Sequence, residues 1–446
     1  MSLNVYVESL GCSKNLVDAE MMMGLLTKFN YMLSSSEEAD IIIVNTCGFI
    51  DAAKQESIDT IIAFGTLKST GRCKLLVVSG CLGERYAEEL LDELPEVDAV
   101  IGTGNFPEII QIIDEALQGK RVHRSGDINI QIPEDLPRIF STPSHTAYLK
   151  IADGCDNCCT YCIIPKLRGE YRSRPLENII TEAQNMAEKG VKEIILIAQD
   201  TTRYGIDIYK QYKLHELLRA LCKIDGIEWI RIMYCYPDEI DEELIQTIAE
   251  EEKICKYLDI PIQHCSNTVL KRMNRRTTKE HILNIIDLLR SHIPDISLRT
   301  SLIVGFPGET DEQFHELESF VKEVQFDKLG VFAYSQEENT PAAKLPAQIT
   351  EDVKEKRRDG IMRIQQEVSK IKNMEKIGSI YDILVEEKVE QANTYLGRSQ
   401  YDAPEIDGLV YINTLNELNI GDIVKVRIVD ALEYDLIGEM LDESSK

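Results

Sequence analysis

Four cysteines crowd one short stretch, Asp153-Gly-Cys-Asp-Asn-Cys-Cys-Thr-Tyr-Cys-Ile-Ile-Pro-Lys-Leu-Arg-Gly169, and three of them, Cys155, Cys159 and Cys162, form C-x3-C-x2-C. A cubane iron–sulfur cluster is normally held by four thiolates. Three thiolates in one loop hold three irons and leave the fourth open to a further ligand, as an open zinc position is left in catalytic sites. Cys158 allows a second parsing, into Cys155-x2-Cys158 and Cys159-x2-Cys162. Two such pairs could hold zinc, but structural zinc pairs come from separated knuckles, and four cysteines in eight residues fit a tetrahedron poorly. The cluster is the favoured reading, with Cys158 a bystander. The motif gives a cofactor and no substrate.

Compartment bears on the same question. The start, Met-Ser-Leu-Asn-Val-Tyr-Val-Glu, lacks the basic and apolar regions of a secretory signal. No stretch approaches the roughly 18–20 apolar residues of a membrane span. A cytoplasmic location is expected. Thiols stay reduced there, so the twelve cysteines are not read as a disulfide framework. The formal charge of −27 repels phosphate backbones and attracts basic partners, which makes nucleic acid a poor first guess.

The 446 residues suffice for two to four domains. In the first 120 residues, Val5–Val7, Ile41–Val44, Leu75–Val78 and Ala99–Ile101 read as short buried strands. Helical patterns cover about 15–28, 50–66, 83–92 and 107–118, and this alternation predicts a doubly wound parallel sheet with helices on both faces. Cys12, Cys47 and Cys81 each follow one of the first three strands, with a glycine beside it or two residues before it. Ligands gather at the carboxyl edges of parallel strands, and glycine allows close backbone approach. A second three-thiolate cluster is expected there, against the plainer reading of three independent core cysteines.

Residues 121–145 read as a linker. From Ala147 a second β/α series begins, with strands Ala147–Ile151, Glu193–Ile197, Trp229–Met233, Lys256–Asp259, Ser297–Val304 and Leu329–Phe332. Six units predict an open (β/α)6 barrel, with the Cys155 loop after its first strand. Glu351–Lys376 reads as a long charged helix. Beyond it, β-like runs such as Tyr381–Val385, Leu409–Ile412 and Ile423–Ile428 predict a small antiparallel β-barrel. From Lys376 to Lys446 there are fifteen Asp/Glu against six Lys/Arg, a local balance of −9. Such barrels often bind nucleic acid, but usually through a basic face. The expected domains are 1–140, 141–375 and 376–446. Cys73, Cys222, Cys235, Cys255 and Cys265 lack ligand spacing and read as core, and His264 as a hydrogen-bonded structural histidine.

The cysteine loop resembles that of the radical S-adenosylmethionine (SAM) superfamily, where the open iron takes the amino and carboxylate groups of SAM. With all three segments placed, the chain resembles the methylthiotransferase family: an auxiliary-cluster domain, a radical SAM barrel and a C-terminal TRAM β-barrel. One branch of that family modifies adenosine in tRNA. The other, the RimO branch, modifies an aspartate on a protein of the small ribosomal subunit. Ser9-Leu-Gly-Cys-Ser-Lys-Asn-Leu-Val-Asp-Ala-Glu20, Tyr334-Ser-Gln-Glu-Glu-Asn-Thr340 and Tyr401-Asp-Ala-Pro-Glu-Ile-Asp-Gly408 are similar to the second branch. Where the tRNA enzymes carry an Arg-Pro-Gly-Thr type of run, this chain has the second of these. Ser13 and Ala19 depart from the usual proline and serine, and Cys158 has no family counterpart.

The resemblance implies two [4Fe-4S] clusters, on Cys155, Cys159 and Cys162 and on Cys12, Cys47 and Cys81. It implies that one SAM methylates a sulfur and a second yields the radical that takes a hydrogen from the aspartate β-carbon, which then captures the methylated sulfur. An external electron donor and a sulfur donor are required; no side chain is assigned as the catalytic group. Tyr161 has two readings, a ring near the adenine or core packing. Strand-end candidates for SAM are Gln199, Asp200, Arg231, Tyr234, Arg299 and Ser301, ahead of Gly305-Phe-Pro-Gly-Glu309, whose glycines also suit a plain turn. Asn15 and Asn45 either orient the auxiliary thiols or cap a helix or turn. Asp402, Glu405 and Asp407 are expected to meet a basic small-subunit ribosomal protein. The tRNA adenosine enzyme is the alternative, with tRNA disfavoured by the acidic tail. An iron–sulfur scaffold or electron carrier would leave the barrel and the tail without purpose.

Overall fold

Ile41–Val44 and Leu75–Val78 are uninterrupted apolar runs, the pattern of strands covered on both faces. In the computed structural model, which describes residues 3–126, 128–390 and 393–441, each lies in a six-residue strand that is buried throughout. Two compact units are found. The first comprises Met1–Ser141, Ala152–Ser173 and Ser335–Ala343, and the second Thr142–Ile151, Arg174–Tyr334 and Lys344–Lys446. The cysteine loop, expected inside the central domain, groups with the first unit.

The first unit is built on β1 (Asn4–Ser9), β2 (Met32–Leu33), β3 (Ile41–Thr46), β4 (Leu75–Gly80), β5 (Ala99–Ile101) and β6 (Val122–Arg124). Their order is β2-β1-β3-β4-β5-β6, and every pair is parallel. The chain steps outward from β1 to β2, then returns to the other side of β1 with β3. The crevice between β1 and β3 is therefore the switch point at which doubly wound sheets bind ligands. Two expectations need correcting. Val122–Arg124 is an edge strand and not linker, and the helix expected over 83–92 is broken into Cys81–Arg85 and Ala87–Glu93 at Tyr86. Short edge strands take their register from a neighbour's backbone, so three residues leave little periodicity to read.

Chain order continues with β7 (Thr146–Lys150) in the second unit, then β8 (Ala152–Asp153) and β9 (Arg172–Ser173), an antiparallel pair bracketing the cysteine loop in the first. The second unit adds β10 (Glu193–Ile197), β11 (Trp229–Ile232), β12 (Ile254–Asp259), β13 (Ser297–Val304) and β14 (Lys328–Ala333). With β7 they form one parallel sheet in sequence order, with β7 and β14 at its edges, as an open (β/α)6 arrangement requires. The long charged helix is found at Glu351–Glu375, where it packs on β14 and buries Ile361 and Val368.

The last strands, β15 (Ile380–Lys388), β16 (Thr394–Ser399), β17 (Val410–Asn413), β18 (Ile423–Ala431) and β19 (Leu436–Met440), close a barrel in the order β15-β16-β17-β19-β18. It is antiparallel except at β17–β19, which is parallel. Ile383, Val385, Tyr395, Val410, Ile412 and Val426 fill its core.

Candidate functional site

The ends of β1, β3 and β4 bring Cys12, Cys47 and Cys81 together at the switch point. Cys12 is the N-cap of the helix Ser13–Lys28, Cys47 follows β3, and Cys81 opens the helix Cys81–Arg85. The loops interlock through glycine. A Cβ on Gly11, whose φ is +85°, would sit 2.7 Å from the Cys47 Cβ, and one on Gly48 would sit 2.9 Å from the Cys81 backbone. Asn15 and Asn45 bind the loops together and cap nothing. Asn15 Nδ2 donates to Thr46 O at 2.9 Å, and Asn45 Nδ2 donates to Asn15 O at 2.7 Å. Ser57 braces Cys47, accepting from its N–H at 3.1 Å and donating to its carbonyl at 3.0 Å.

The thiols feel one another. Burial pushes Cys81 up to about 12, opposed by Arg168 and reinforced by Cys12 and Cys47. Burial likewise raises Cys47, with Cys12 adding to it. At Cys12 burial is outweighed by Lys14 and Arg168, and the thiol is lowered. Three thiolates here need added positive charge, which a metal cluster provides while deprotonating its ligands outright. This donor set fits an iron–sulfur group.

The second set lies on the loop between β8 and β9. Cys155 N–H donates to Gly169 O, and Cys162 N–H to Cys159 O, both at 3.0 Å. Cys159 is buried, while Cys155 and Cys162 are partly so. Burial above all, then the charge of Cys159 and, more weakly, those of Cys155 and Cys158, drives the Cys162 thiol strongly upward. Cys158 turns outward, exposed and at a φ of 51°, unlike the three expected ligands. Among the described residues no three His, Cys, Asp or Glu surround one ion-sized point. Cubane thiolates bind separate irons and stand wider apart than the ligands of a single ion. Tyr161 is half-buried on this loop.

The two sets are neighbours within the first unit. Ile163 and Leu167, just beyond Cys162, are buried against Cys81. A segment that sequence reasoning used only as a branch signature ties both together. Glu337 is buried and pairs with Lys54 at 2.9 Å and Arg85 at 3.0 Å, and Arg85 also donates to Gly48 O at 2.8 Å. On its other side, Ala342 N–H donates to Thr160 O at 2.9 Å and Lys166 Nζ to Asn339 O at 2.8 Å. Glu337, Lys54, Arg85 and Arg168 were not singled out from sequence; the only signal was that two of them stand inside quoted motifs.

The remaining expected residues lie in the second unit. Asp200, beyond β10, is buried and accepts from Thr202 Oγ1 at 2.6 Å; Gln199 beside it is half-buried. Tyr234, beyond β11, has a φ of 61° and donates its N–H to Asp259 Oδ2 at 3.1 Å. Gln263, at a φ of 71°, was not anticipated; its N–H donates to Ser301 O at 2.9 Å. Left-handed non-glycine backbone beyond strand ends is stored strain of the kind that collects at ligand sites. Arg299 pairs with Asp259 at 2.7 Å and lies 3.4 Å from Ser301 Oγ.

Three expectations change here. Arg231 faces the sheet's junction with the β-barrel: fully buried, it pairs with Glu193 at 2.8 Å and donates to Gln400 O at 2.8 Å. Asp402 and Asp407 are not a solvent-facing docking patch. Asp402 is buried against Lys328 at 2.6 Å, which with Lys376 outweighs burial and holds its carboxyl at about 2. Asp407 accepts from Tyr257 Oη at 2.8 Å and lies 3.7 Å from Arg299, and burial raises its carboxyl. The Tyr401–Gly408 run thus plugs into the sheet because its carboxylates find buried cations there. Glu405 is exposed. Cys73, Cys235, Cys255 and Cys265 are buried, and His264 is buried and neutral, its ring held at about 3 by burial and then by Arg272 and Arg357.

Comparison with known proteins matches three segments of the chain. Residues 149–321 match the radical SAM superfamily, residues 4–102 the uncharacterized protein family UPF0004, and residues 377–441 the TRAM domain. A solved radical SAM methyltransferase, TsrM from Kitasatospora setae with cobalamin and a [4Fe-4S] cluster bound, shares the fold at a TM-score of 0.58. It covers 77% of this chain and 74% of that one at 12% identity. The ribosomal protein uS12 methylthiotransferase RimO of Clostridioides difficile (strain 630) is 58% identical over 442 residues, 99% of each chain. Its counterpart in Geobacter sulfurreducens (strain ATCC 51573 / DSM 12127 / PCA) is 54% identical over 440 residues, 98% of each. With three cysteines at the switch point, three more on the loop after β8, and identity at this level from end to end, the chain belongs to the RimO family of ribosomal protein uS12 methylthiotransferases.

Proposed function

We propose that this enzyme replaces a β-carbon hydrogen of an aspartate on ribosomal protein uS12 with a methylthio group, using two [4Fe-4S] clusters and two SAM per product. The observation that carries the reading is the pair of three-thiol sets, each converging within one compact unit. Cys155, Cys159 and Cys162 hold the SAM-binding cluster, and Cys12, Cys47 and Cys81 the auxiliary one. When bound, these groups supply the electron, the hydrogen-abstracting radical and the methylated sulfur; the organic chemistry is the cofactors' own. The chain orients and shields. Asn15 and Asn45 fix the auxiliary loops, and the Glu337 segment braces the loops carrying Cys47 and Cys162. Tyr161, Gln199, Asp200, Tyr234, Arg299 and Ser301 are the proposed SAM contacts, without Arg231.

The functional division into 1–140, 141–375 and 376–446 is supported by the three matched segments. An external electron donor and a sulfur donor complete the balance. A ribosomal substrate supports a cytoplasmic reaction. No helix among the described residues is long and apolar enough to cross a membrane. The test separates the two clusters. A variant with Cys12, Cys47 and Cys81 all changed to alanine, reconstituted without oxygen, should cleave SAM to 5′-deoxyadenosine yet leave uS12 unmodified. If it cannot cleave SAM while the other cluster is intact, the division of labour is wrong.

A further inference from the structure

Arg168 ends the helix Ile164–Arg168, six residues beyond Cys162, and its side chain is only 3% exposed. Nη2 donates to Asn15 Oδ1 at 2.6 Å and Asp18 Oδ2 at 2.9 Å, while Nη1 donates to Asp153 Oδ2 at 3.1 Å. Asn15 and Asp18 stand on the helix that Cys12 caps. Asp153 opens the loop that carries Cys155. One guanidinium therefore clamps both cysteine-bearing segments. Asn15 Oδ1, which Nη2 binds, also accepts from the Cys81 thiol at 3.7 Å, so the guanidinium and the thiol share one acceptor. The guanidinium charge bears on Cys12 and Cys47.

Packing does not require an arginine here. A buried ion pair is often no more stable than apolar side chains of the same volume, because its charges must be stripped of water. What no apolar residue offers is a buried cation whose N–H fixes Asn15, the acceptor of the Cys81 thiol. Cluster potentials respond to net charge and to hydrogen bonds on the sulfurs. Residues that hold metal ligands in place are commonly as sensitive to mutation as outer partners of other metal sites.

We propose that Arg168 is a positioning residue for the auxiliary cluster. Supplied by the SAM-cluster loop, it fixes the Asn15 side chain that meets the Cys81 sulfur, sets a buried cation near that cluster and so holds its potential up, and keeps the two cysteine sets in one register. The inference rests on the two-cluster reading above. It is tested with the full-length protein reconstituted without oxygen, as wild type, Arg168→Met and Arg168→Lys. Iron per chain, the potential of each cluster by spectroscopic redox titration, and methylthio product per 5′-deoxyadenosine are measured.

In Arg168→Met both clusters should remain, the auxiliary potential should move negative with the SAM-cluster potential unmoved, and the product ratio should fall about 10- to 100-fold. Arg168→Lys keeps the charge without the planar fork, so it should recover part of the potential and little of the ratio. An auxiliary potential unmoved in Arg168→Met, or equal movement of both clusters, overturns the inference. So does loss of iron from both sites in both variants, which would mark Arg168 as a folding residue. A single cluster in the wild type defeats the two-cluster reading itself; two clusters with an unmoved potential defeat this inference alone.

Discussion

Glu193→Gln is expected to cost the second unit about 3 kcal/mol of stability at neutral pH, the amount a buried ion pair loses when one partner goes. Glu193 opens β10 and is fully buried, with Arg231 Nε at 2.8 Å and Arg398 Nη2 at 2.6 Å. Arg398 belongs to β16, so this carboxylate is a weld between the parallel sheet and the β-barrel. Burial alone would raise its carboxyl, but Arg398 and Arg231 pull it from 4.5 to about 2. At ~1.4 kcal/mol for each tenfold in proton affinity, that contributes roughly 3 kcal/mol. The folded-state value lies below the unfolded one, so the contribution is complete above 4.5 and is lost as pH falls toward 2. Trp229, the single tryptophan, is the register partner of Glu193 on β11 and is 8% exposed. Its fluorescence reports urea unfolding where the change is made. The variant should lose about 3 kcal/mol at neutral pH and much less by about pH 3. A loss below ~1 kcal/mol at neutral pH, or the same loss at both, would refute the reasoning.

Changing Cys155, Cys159 and Cys162 to alanine should halve the iron and leave a spectroscopically distinct cluster; complete loss, or none, would argue against two independent sites. The acidic docking idea moves to carboxylates that face solvent. Glu387, Glu390 and Glu417 are exposed, and their joint change to lysine should weaken capture of uS12 in a pull-down while shifting stability by no more than ~0.5 kcal/mol. Asp402→Lys should instead unfold the junction, because it sets two cations against each other in a buried site. An Asp402→Lys protein as stable as wild type would contradict its placement.

Strands and cysteines were legible because their signals are local. Glu193–Ile197 and Ser297–Val304 are the runs read from sequence, residue for residue. The convergence of Cys12, Cys47 and Cys81 followed from one rule about strand ends. What stayed hidden needed tertiary pairing. Nothing around Asp402 says that Lys328, 74 residues earlier, waits for it, so a run of carboxylates reads as an acidic face when two of its members are internal. Arg231 looks like a strand-end ligand until Glu193 and the Gln400 carbonyl are seen to take it. Glu337 marked the branch in sequence, and only the fold shows it pairing with two helices that lie 283 and 252 residues away at Lys54 and Arg85. The parallel β17–β19 pair was unreadable because four- and five-residue strands carry no sign of direction.

The central claim is the substrate. The purified enzyme, reconstituted without oxygen and given SAM and a reductant, should be offered uS12 and tRNA together, and each then examined by mass spectrometry. The account predicts a methylthio group on one aspartate of uS12 and an unmodified tRNA. Methylthioadenosine in the tRNA with uS12 unchanged would contradict it.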